Sequence, residues 1–223
     1  MSTGTKHTVT AFDDDMDEIR GLIAEMGARA ETAVMAAMKA LSERDLELAA
    51  TTRADDKIID NLETEVEKLV VRTIALRAPM ADDLRELIAA LKMSAVIERI
   101  GDYAKNIAKR VPQMEAKSIL AANEELSRMG EIVIQMIRTA MEAYAKRDVD
   151  LARAVTARDD DVDQMNKDLF VDFVAYIAKN PKNATEVAHL LFTAKNLERI
   201  GDHTTTVAQM IYFTETGENL PDA

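Results

Sequence analysis

Cysteine and tryptophan are absent from the 223 residues, and phenylalanine and tyrosine together make up only 4% of them. Without cysteine, the chain can form neither disulfides nor thiolate metal sites, which fits a reducing compartment. Apolar residues still make up 48% of the sequence, mainly the aliphatic residues and methionine that favour packed helices over sheets. We therefore predict an all-α protein in the cytoplasm.

Long hydrophobic runs are also missing. No apolar stretch approaches the roughly 18 residues that a membrane-spanning helix requires, and the polar residues 1–10 do not resemble a secretory signal. We expect no direct insertion into a membrane.

Basic side chains are few relative to acidic ones, 28 against 40, which gives a net charge of −12. Such a chain is repelled by nucleic acid backbones and by anionic lipid surfaces. We expect no nucleic acid partner, whereas metal cations and basic protein surfaces suit this charge.

Only 7 glycines and 4 prolines interrupt long stretches in which apolar residues recur at helical spacing. The steps Ala78-Pro79 and Asn180-Pro181 end helices, because the residue before proline avoids helical angles. Long helices joined by short turns favour antiparallel bundles. The six predicted helices span residues 13–44, 46–77, 80–110, 119–146, 149–179 and 183–215.

The chain contains an internal repeat. Residues 38–62 align with 141–165 at an offset of 103 with 9 identities in 25 positions, and residues 98–102 (Glu-Arg-Ile-Gly-Asp) recur unchanged at 198–202. A repeat of this length is a whole domain rather than a solenoid unit. We predict two tandem antiparallel three-helix bundles related by a pseudo-two-fold axis. The predicted parts are a disordered tail at 1–11, a first unit at 12–115, a second unit at 116–216 and a frayed end at 217–223.

Acidic pairs at i, i+4 spacing occur twice in each unit, which places both carboxylates of a pair on one helix face. In the first unit, Asp60 and Glu98 both lie 19 residues from Pro79, and Asp56 and Asp102 both lie 23 residues from it. Equal distances from an antiparallel turn mean equal heights, so each unit can gather four carboxylates on its flank. The four pairs are Asp56/Asp60, Glu98/Asp102, Asp159/Asp163 and Glu198/Asp202.

Clustered carboxylates at an open surface suit hard cations such as Mg²⁺, Ca²⁺, Mn²⁺ or iron. No histidine stands at corresponding positions of both units, which disfavours a typical zinc site. We predict that all eight carboxylates are metal ligands; the alternative is a solvated, acidic helix face. Gly101 and Gly201 lie mid-helix, where the missing side chain lets another helix or a metal cluster approach closely.

Two motifs resemble the PhoU family of phosphate-uptake regulators. One is residues 98–108, with its shorter copy at 198–202, and the other is residues 76–85 (Leu-Arg-Ala-Pro-Met-Ala-Asp-Asp-Leu-Arg). They follow each other in the expected order within a duplicated frame, and the resemblance covers roughly residues 12–215. The second unit keeps Pro181 but lacks the rest of the 76–85 motif.

The resemblance implies two three-helix bundles in a cytoplasmic protein that forms a homodimer. It implies negative regulation of the phosphate-starvation response, through contacts with the ATPase of a phosphate ABC transporter and with a sensor histidine kinase. It also implies that the carboxylate motifs hold iron or zinc in some members; we expect iron, zinc, manganese or magnesium here, at sites that can also be empty. Arg77 and Arg85 are the predicted partner-binding residues of the first unit.

Two other functions remain open at this point. The chain could be a carboxylate-bridged metalloenzyme, although bundled di-iron enzymes add Glu-x-x-His ligands from the bundle core. It could also be a structural helical adaptor, which metal analysis would separate from a metal-binding protein. We predict that it is not an enzyme and that it has no catalytic residues.

Overall fold

The computed structural model describes residues 4–114 and 124–220, and only the backbone of residues 4–10. It contains no strand within those ranges, which confirms the prediction of an all-α fold. The helices are α1 (Gly4–Glu43), α2 (Leu46–Arg77), α3 (Asp82–Ala108), α4 (Glu124–Lys146), α5 (Val149–Thr156), α6 (Asp159–Lys179) and α7 (Ala184–Thr216). None of the described helices is long and apolar enough to cross a membrane.

The first helical turn of each unit's second helix is built in the same way. Arg44 and Arg147 adopt left-handed backbone angles, with φ of 56° and 53°, and so reverse the chain within two residues. The next residue then caps the following helix: Asp45 accepts from the Leu48 amide at 2.9 Å, and Asp148 accepts from the Leu151 amide at 3.1 Å. The repeat seen in the sequence is therefore a repeat of turn and cap.

Helices α1–α3 form one antiparallel bundle, and α4–α7 form a second, in which α5 and α6 together take the place of one helix. The units pack through α1 against α4 and through α3 against α7. Gly27 of α1 gives space to Met141, and Gly130 of α4 gives space to Met38. Because both pairs stand at an offset of 103, this contact reproduces itself under a two-fold rotation.

Two predicted boundaries are wrong. Helix α1 begins at Gly4, so residues 4–11 are helical rather than part of a disordered tail; the acidic run at 13–15 lies inside the helix instead of opening it. The predicted fifth helix is interrupted between Thr156 and Asp159. Acidic side chains are favoured in the first turn of a helix, and residues 159–161 open α6.

The remaining predicted boundaries agree with the structure to within two residues where they can be compared. The predicted start of the fourth helix, residues 119–123, lies outside the described residues. The chain leaves α7 at Gly217, whose left-handed φ of 75° ends the helix.

Asp15 ties α1 to the end of α2. Its side chain is buried, with 6% exposed, and it accepts hydrogen bonds from Arg72 at 3.1 Å and from Arg77 at 3.2 Å. Arg77, a predicted partner-binding residue, is therefore committed to an internal ion pair that fixes the first hairpin turn.

We expect Asp15→Asn to lower the free energy of unfolding by about 2 kcal/mol, because it leaves two guanidinium groups without their charged acceptor. Urea denaturation followed by circular dichroism measures the change. Asp14→Asn is the matched control, since Asp14 is exposed, and it should change stability by less than about 0.5 kcal/mol. Equal effects of the two substitutions would contradict the role of Asp15.

Candidate metal centre

Glycines in α3 and α7 let the neighbouring helix approach the carboxylates closely. A Cβ atom on Gly101 would lie 2.9 Å from Ile59 Cδ1 and 3.4 Å from Asp56 Oδ1. A Cβ atom on Gly201 would lie 3.2 Å from Asp159 Oδ1 and 3.4 Å from Val162 Cγ1. Of the two uses predicted for these glycines, the structure shows close helix packing, and that packing brings the carboxylates together.

In the second unit, three carboxylates converge. Asp163, Glu198 and Asp202 each offer one oxygen, and these oxygens lie within 4.8 Å of one another. Glu198 is largely buried: one of its oxygens accepts from Lys195 at 2.5 Å, and the other, Oε2, is buried without a hydrogen bond. A buried carboxylate oxygen without a donor is costly unless something positive binds it, so this donor set fits a hard cation.

Asp159 lies beside the second-unit cluster. Burial and the charges of Asp202 and Asp163 raise the pKa of Asp159 to about 6. Burial, Glu198 and Asp163 likewise raise the pKa of Asp202. Asp159 and Asp202 therefore lie close enough to neighbouring carboxylates for those charges to oppose their ionisation, an effect that a bound cation would reverse.

In the first unit, a lysine lies among the predicted ligands. Lys105 Nζ donates to Asp56 Oδ2 at 2.5 Å and to Asp102 Oδ1 at 3.2 Å. The hydrogen bond that Lys105 donates to Asp56 raises the pKa of Lys105 to about 12, so this ammonium stays charged. Among the described residues, no three carboxylates of Asp56, Asp60, Glu98 and Asp102 converge as their counterparts in the second unit do.

Glu98 is the most perturbed carboxyl of the first unit. Burial, Asp102 and Glu63 raise the pKa of Glu98 to about 7. Burial also raises the pKa of Asp56, although Lys105 opposes that shift. Asp60 and Asp102 contribute to both shifts, so their charges act on Asp56 and on Glu98.

Two substitutions place a lysine differently in the two units, and one of them sets Ala95 of the first unit against Lys195 of the second. At the offset of 100 that relates residues 98–102 to 198–202, Lys105 corresponds to Thr205, which carries no charge. Sequence reasoning missed the role of Lys105, although its position three residues after Asp102 places it on the same helix face.

Histidine does not enter the second cluster as a ligand. His203 Nδ1 lies 2.8 Å from the Arg199 carbonyl oxygen, and its ring packs edge-on against Tyr103, with ring centroids 5.3 Å apart. The cluster is therefore built from carboxylate oxygens.

Arg85, the other predicted partner-binding residue, is held within the chain. It donates to Asp82 at 2.8 Å, and its guanidinium lies 5.9 Å from the centroid of the Phe213 ring. Whether Arg77 and Arg85 also contact a partner stays a prediction.

Comparison with known proteins agrees with this duplicated architecture. The PhoU domain model matches residues 23–111 and again residues 126–211, one match in each unit. The phosphate-specific transport system accessory protein PhoU homolog of Zymomonas mobilis is 46% identical, over 97% of this chain and 91% of that protein. The homolog in Caulobacter vibrioides is 40% identical, over 97% and 94%.

Two crystal structures share the fold. PhoU from Pseudomonas aeruginosa superposes with a TM-score of 0.86 at 30% identity, covering 93% of this chain and all of that one. The phosphate transport system regulatory protein PhoU from Streptococcus pneumoniae gives a TM-score of 0.87 at 25% identity, covering 94% and 99%.

Fold and site together define a duplicated three-helix-bundle protein that carries carboxylates on two facing helices of each copy and gathers three of them in the second. The two domain matches and the close relatives place it more narrowly: the chain belongs to the PhoU family.

The pKa of Glu98 gives stability a pH dependence. Between its ordinary pKa of 4.5 and about 7, the folded protein holds a proton that the unfolded chain has already lost. Stability therefore falls as pH rises through this window. The glutamine of Glu98→Gln cannot ionise. We therefore expect the free energy of unfolding of this variant to exceed that of wild type by about 1–3 kcal/mol above pH 7 and to equal it below pH 4.5.

Urea denaturation from pH 4 to 8, with chelator present, measures this difference. Glu65→Gln, an exposed change on α2, is the control and should track wild type throughout. If the free energy of unfolding of Glu98→Gln does not rise relative to that of wild type as pH rises, the proposed pKa of Glu98 is wrong.

Proposed function

We propose that this protein regulates phosphate uptake and represses the phosphate-starvation response, and that it does so in the cytoplasm. The observation that carries the proposal is the match of both units to the PhoU domain, with relatives named as accessory to phosphate-specific transport along nearly the whole chain. The partners we propose are the ATPase of a phosphate ABC transporter and a sensor histidine kinase.

We propose regulation through protein contacts, without catalysis. The relatives' names, accessory protein and regulatory protein, support this. Bundled di-iron enzymes bind their metals through both carboxylates and histidines. The converging group of the second unit contains only carboxylates, so the site does not support the metalloenzyme alternative.

Deleting the gene tests the function. We expect a deletion strain to express starvation-induced genes in phosphate-rich medium and to show altered phosphate uptake, because the repressing contact is lost. A reporter fusion and ³²P uptake measure these effects, and a plasmid copy of the gene should restore both. Unaltered reporter expression together with unaltered uptake would rule out the proposed function.

The first hairpin turn is the partner surface we propose from the 76–85 motif, which the second unit lacks. Beside Arg77 and Arg85, this turn exposes the large apolar side chains of Leu76 and Met80. Arg77→Ala would also remove a partner of Asp15, so loss of binding in that variant has to be compared with its loss of stability. The homodimer that we also propose is tested by sedimentation of the wild-type protein.

We propose that the second-unit cluster binds a cation, iron, zinc, manganese or magnesium, through Asp163, Glu198 and Asp202, with Asp159 beside them. The bound cation would supply the positive charge that lets the crowded carboxylates ionise together. In the first unit, Lys105 already supplies one such charge. Asp56, Asp60, Glu98 and Asp102 can serve as ligands only if Lys105 gives way.

Exchanging Lys105 and Thr205 tests the metal proposal within one chain. We expect Thr205→Lys to weaken Mn²⁺ binding at least tenfold, because an ammonium then competes for the second cluster. Lys105→Thr should add a second binding event. Calorimetric titration with Mg²⁺, Mn²⁺ and Fe²⁺ measures both, and Glu198→Ala/Asp202→Ala serves as the variant without a site. Equal heats in all these proteins would contradict the proposal.

A further inference from the structure

The second unit carries an apolar face that the three-helix fold does not need. Phe170, Val171 and Phe192 are 57%, 64% and 55% exposed. With Ala188 and Leu191, they line a groove of about 740 Å³ between α6 and α7. Single exposed apolar residues are ordinary on protein surfaces, whereas several large ones gathered at one groove mark a binding surface.

The first unit supplies an internal comparison. At offsets of 103 in the second helix and 100 in the third, Phe170, Val171 and Phe192 correspond to Glu67, Lys68 and Lys92. All six of these residues are exposed. The same architecture is thus built with charged residues at these positions in one unit and with large apolar residues in the other, so packing within a bundle does not explain the apolar set.

The charges at this groove are positive, although the chain as a whole carries −12. Lys167 and Lys195 line it, and no carboxylate does so among the described residues. Lys167 forms no ion pair within the described part of the chain. The guanidinium of Arg110 lies 4.4 Å from the centroid of the Phe192 ring and adds a third cation.

We propose that this groove binds an amphipathic helix of a partner protein, with large apolar side chains that enter the groove and Asp or Glu residues that meet Lys167, Lys195 and Arg110. A groove between two antiparallel helices accepts a third helix, and the cations select its acidic flanks. The inference rests on the proposed function, because it gives that regulator a second docking surface, apart from the 76–85 turn.

A second copy of this chain fits the groove less well. A two-fold contact centred on the groove would place the groove against itself. Lys167, Lys195 and Arg110 would then face their own counterparts, with no carboxylate of the groove to neutralise them. The charge of the groove therefore favours an acidic partner over a dimer whose two-fold axis passes through the groove.

The groove also adjoins the carboxylate cluster. Lys195 lines the groove and donates to Glu198 at 2.5 Å. A partner carboxylate that engages Lys195 would compete with Glu198 for this ammonium. Binding at the groove and cation binding at Asp163, Glu198 and Asp202 are thus coupled, and each should strengthen the other, because a cation at Glu198 frees Lys195 for the partner.

The test replaces three residues of the second unit with their counterparts from the first unit: Phe170→Glu, Val171→Lys and Phe192→Lys together. Since the first unit folds with these residues, the triple variant should keep its helix content and melting temperature. The probes are the purified transporter ATPase and the purified cytoplasmic part of the sensor kinase from the same organism, and biolayer interferometry measures their binding. Met35→Lys, an exposed apolar-to-charged change on α1, is the control.

We expect at least one of the two proteins to bind the triple variant tenfold or more weakly than wild type, and to bind Met35→Lys as wild type. Lys167→Glu should weaken the same complex and reduce its dependence on salt between 50 and 200 mM. Equal binding of wild type and triple variant overturns the inference and leaves the proposed function intact.

Two further results overturn the inference. If wild type sediments as a dimer and the triple variant as a monomer, the groove is an interface between copies of this chain. If wild type binds neither protein, the proposed contacts themselves fail, and the inference fails with them.

Discussion

Close packing of helices at two glycines is the constraint on which this structure depends. At Gly101 and Gly201 the facing helix comes so near that a Cβ atom would crowd Ile59 or Asp159. This approach brings carboxylates of each unit near one another and draws Asp56, Glu98 and Asp159 partly out of water. Their raised pKa values are the electrostatic consequence, and a need for positive charge at this level of each bundle is the chemical one.

The two units meet that need differently. The first has its cation in the sequence, as Lys105 between Asp56 and Asp102. The second has Thr205 at that position and leaves a buried oxygen of Glu198 without a donor. A duplicated fold has thus kept its geometry while its internal ammonium moved, from Lys105 at Asp56 and Asp102 in the first copy to Lys195 at Glu198 in the second. The outer faces have diverged as well, since Phe170 and Phe192 stand where the first unit has Glu67 and Lys92.

Much of this arrangement could be predicted from the sequence, because it depends on counting along regular helices. Helical spacing, two proline turns and a repeat at a fixed offset predict the bundles, and equal distances from Pro79 predict which carboxylates share a level. The interruption before Asp159 was missed, because apolar periodicity alone does not register the preference of acidic residues for a helix start. The helix at residues 4–11 was missed because polar residues give no apolar stripe.

The site was less accessible to sequence reasoning than the fold. Spacing along the helices predicts which carboxylates lie near one another. It does not predict which cation neutralises them, because that depends on the conformations of long side chains such as Lys105 and Lys195. Arg77 was predicted as a surface residue from its motif, yet buried Asp15, 62 residues earlier in the chain, holds it. Long-range ion pairs of this kind leave no local pattern in the sequence.

The central claim is that the second unit needs a cation from solution and the first does not. The most direct test is a crystal structure of the wild-type protein with Mn²⁺, with anomalous diffraction used to locate the metal. The account predicts an anomalous peak among Asp163, Glu198 and Asp202, with Lys105 still bonded to Asp56 and no peak in the first cluster. Peaks of equal height in both clusters, or none in the second, would contradict it.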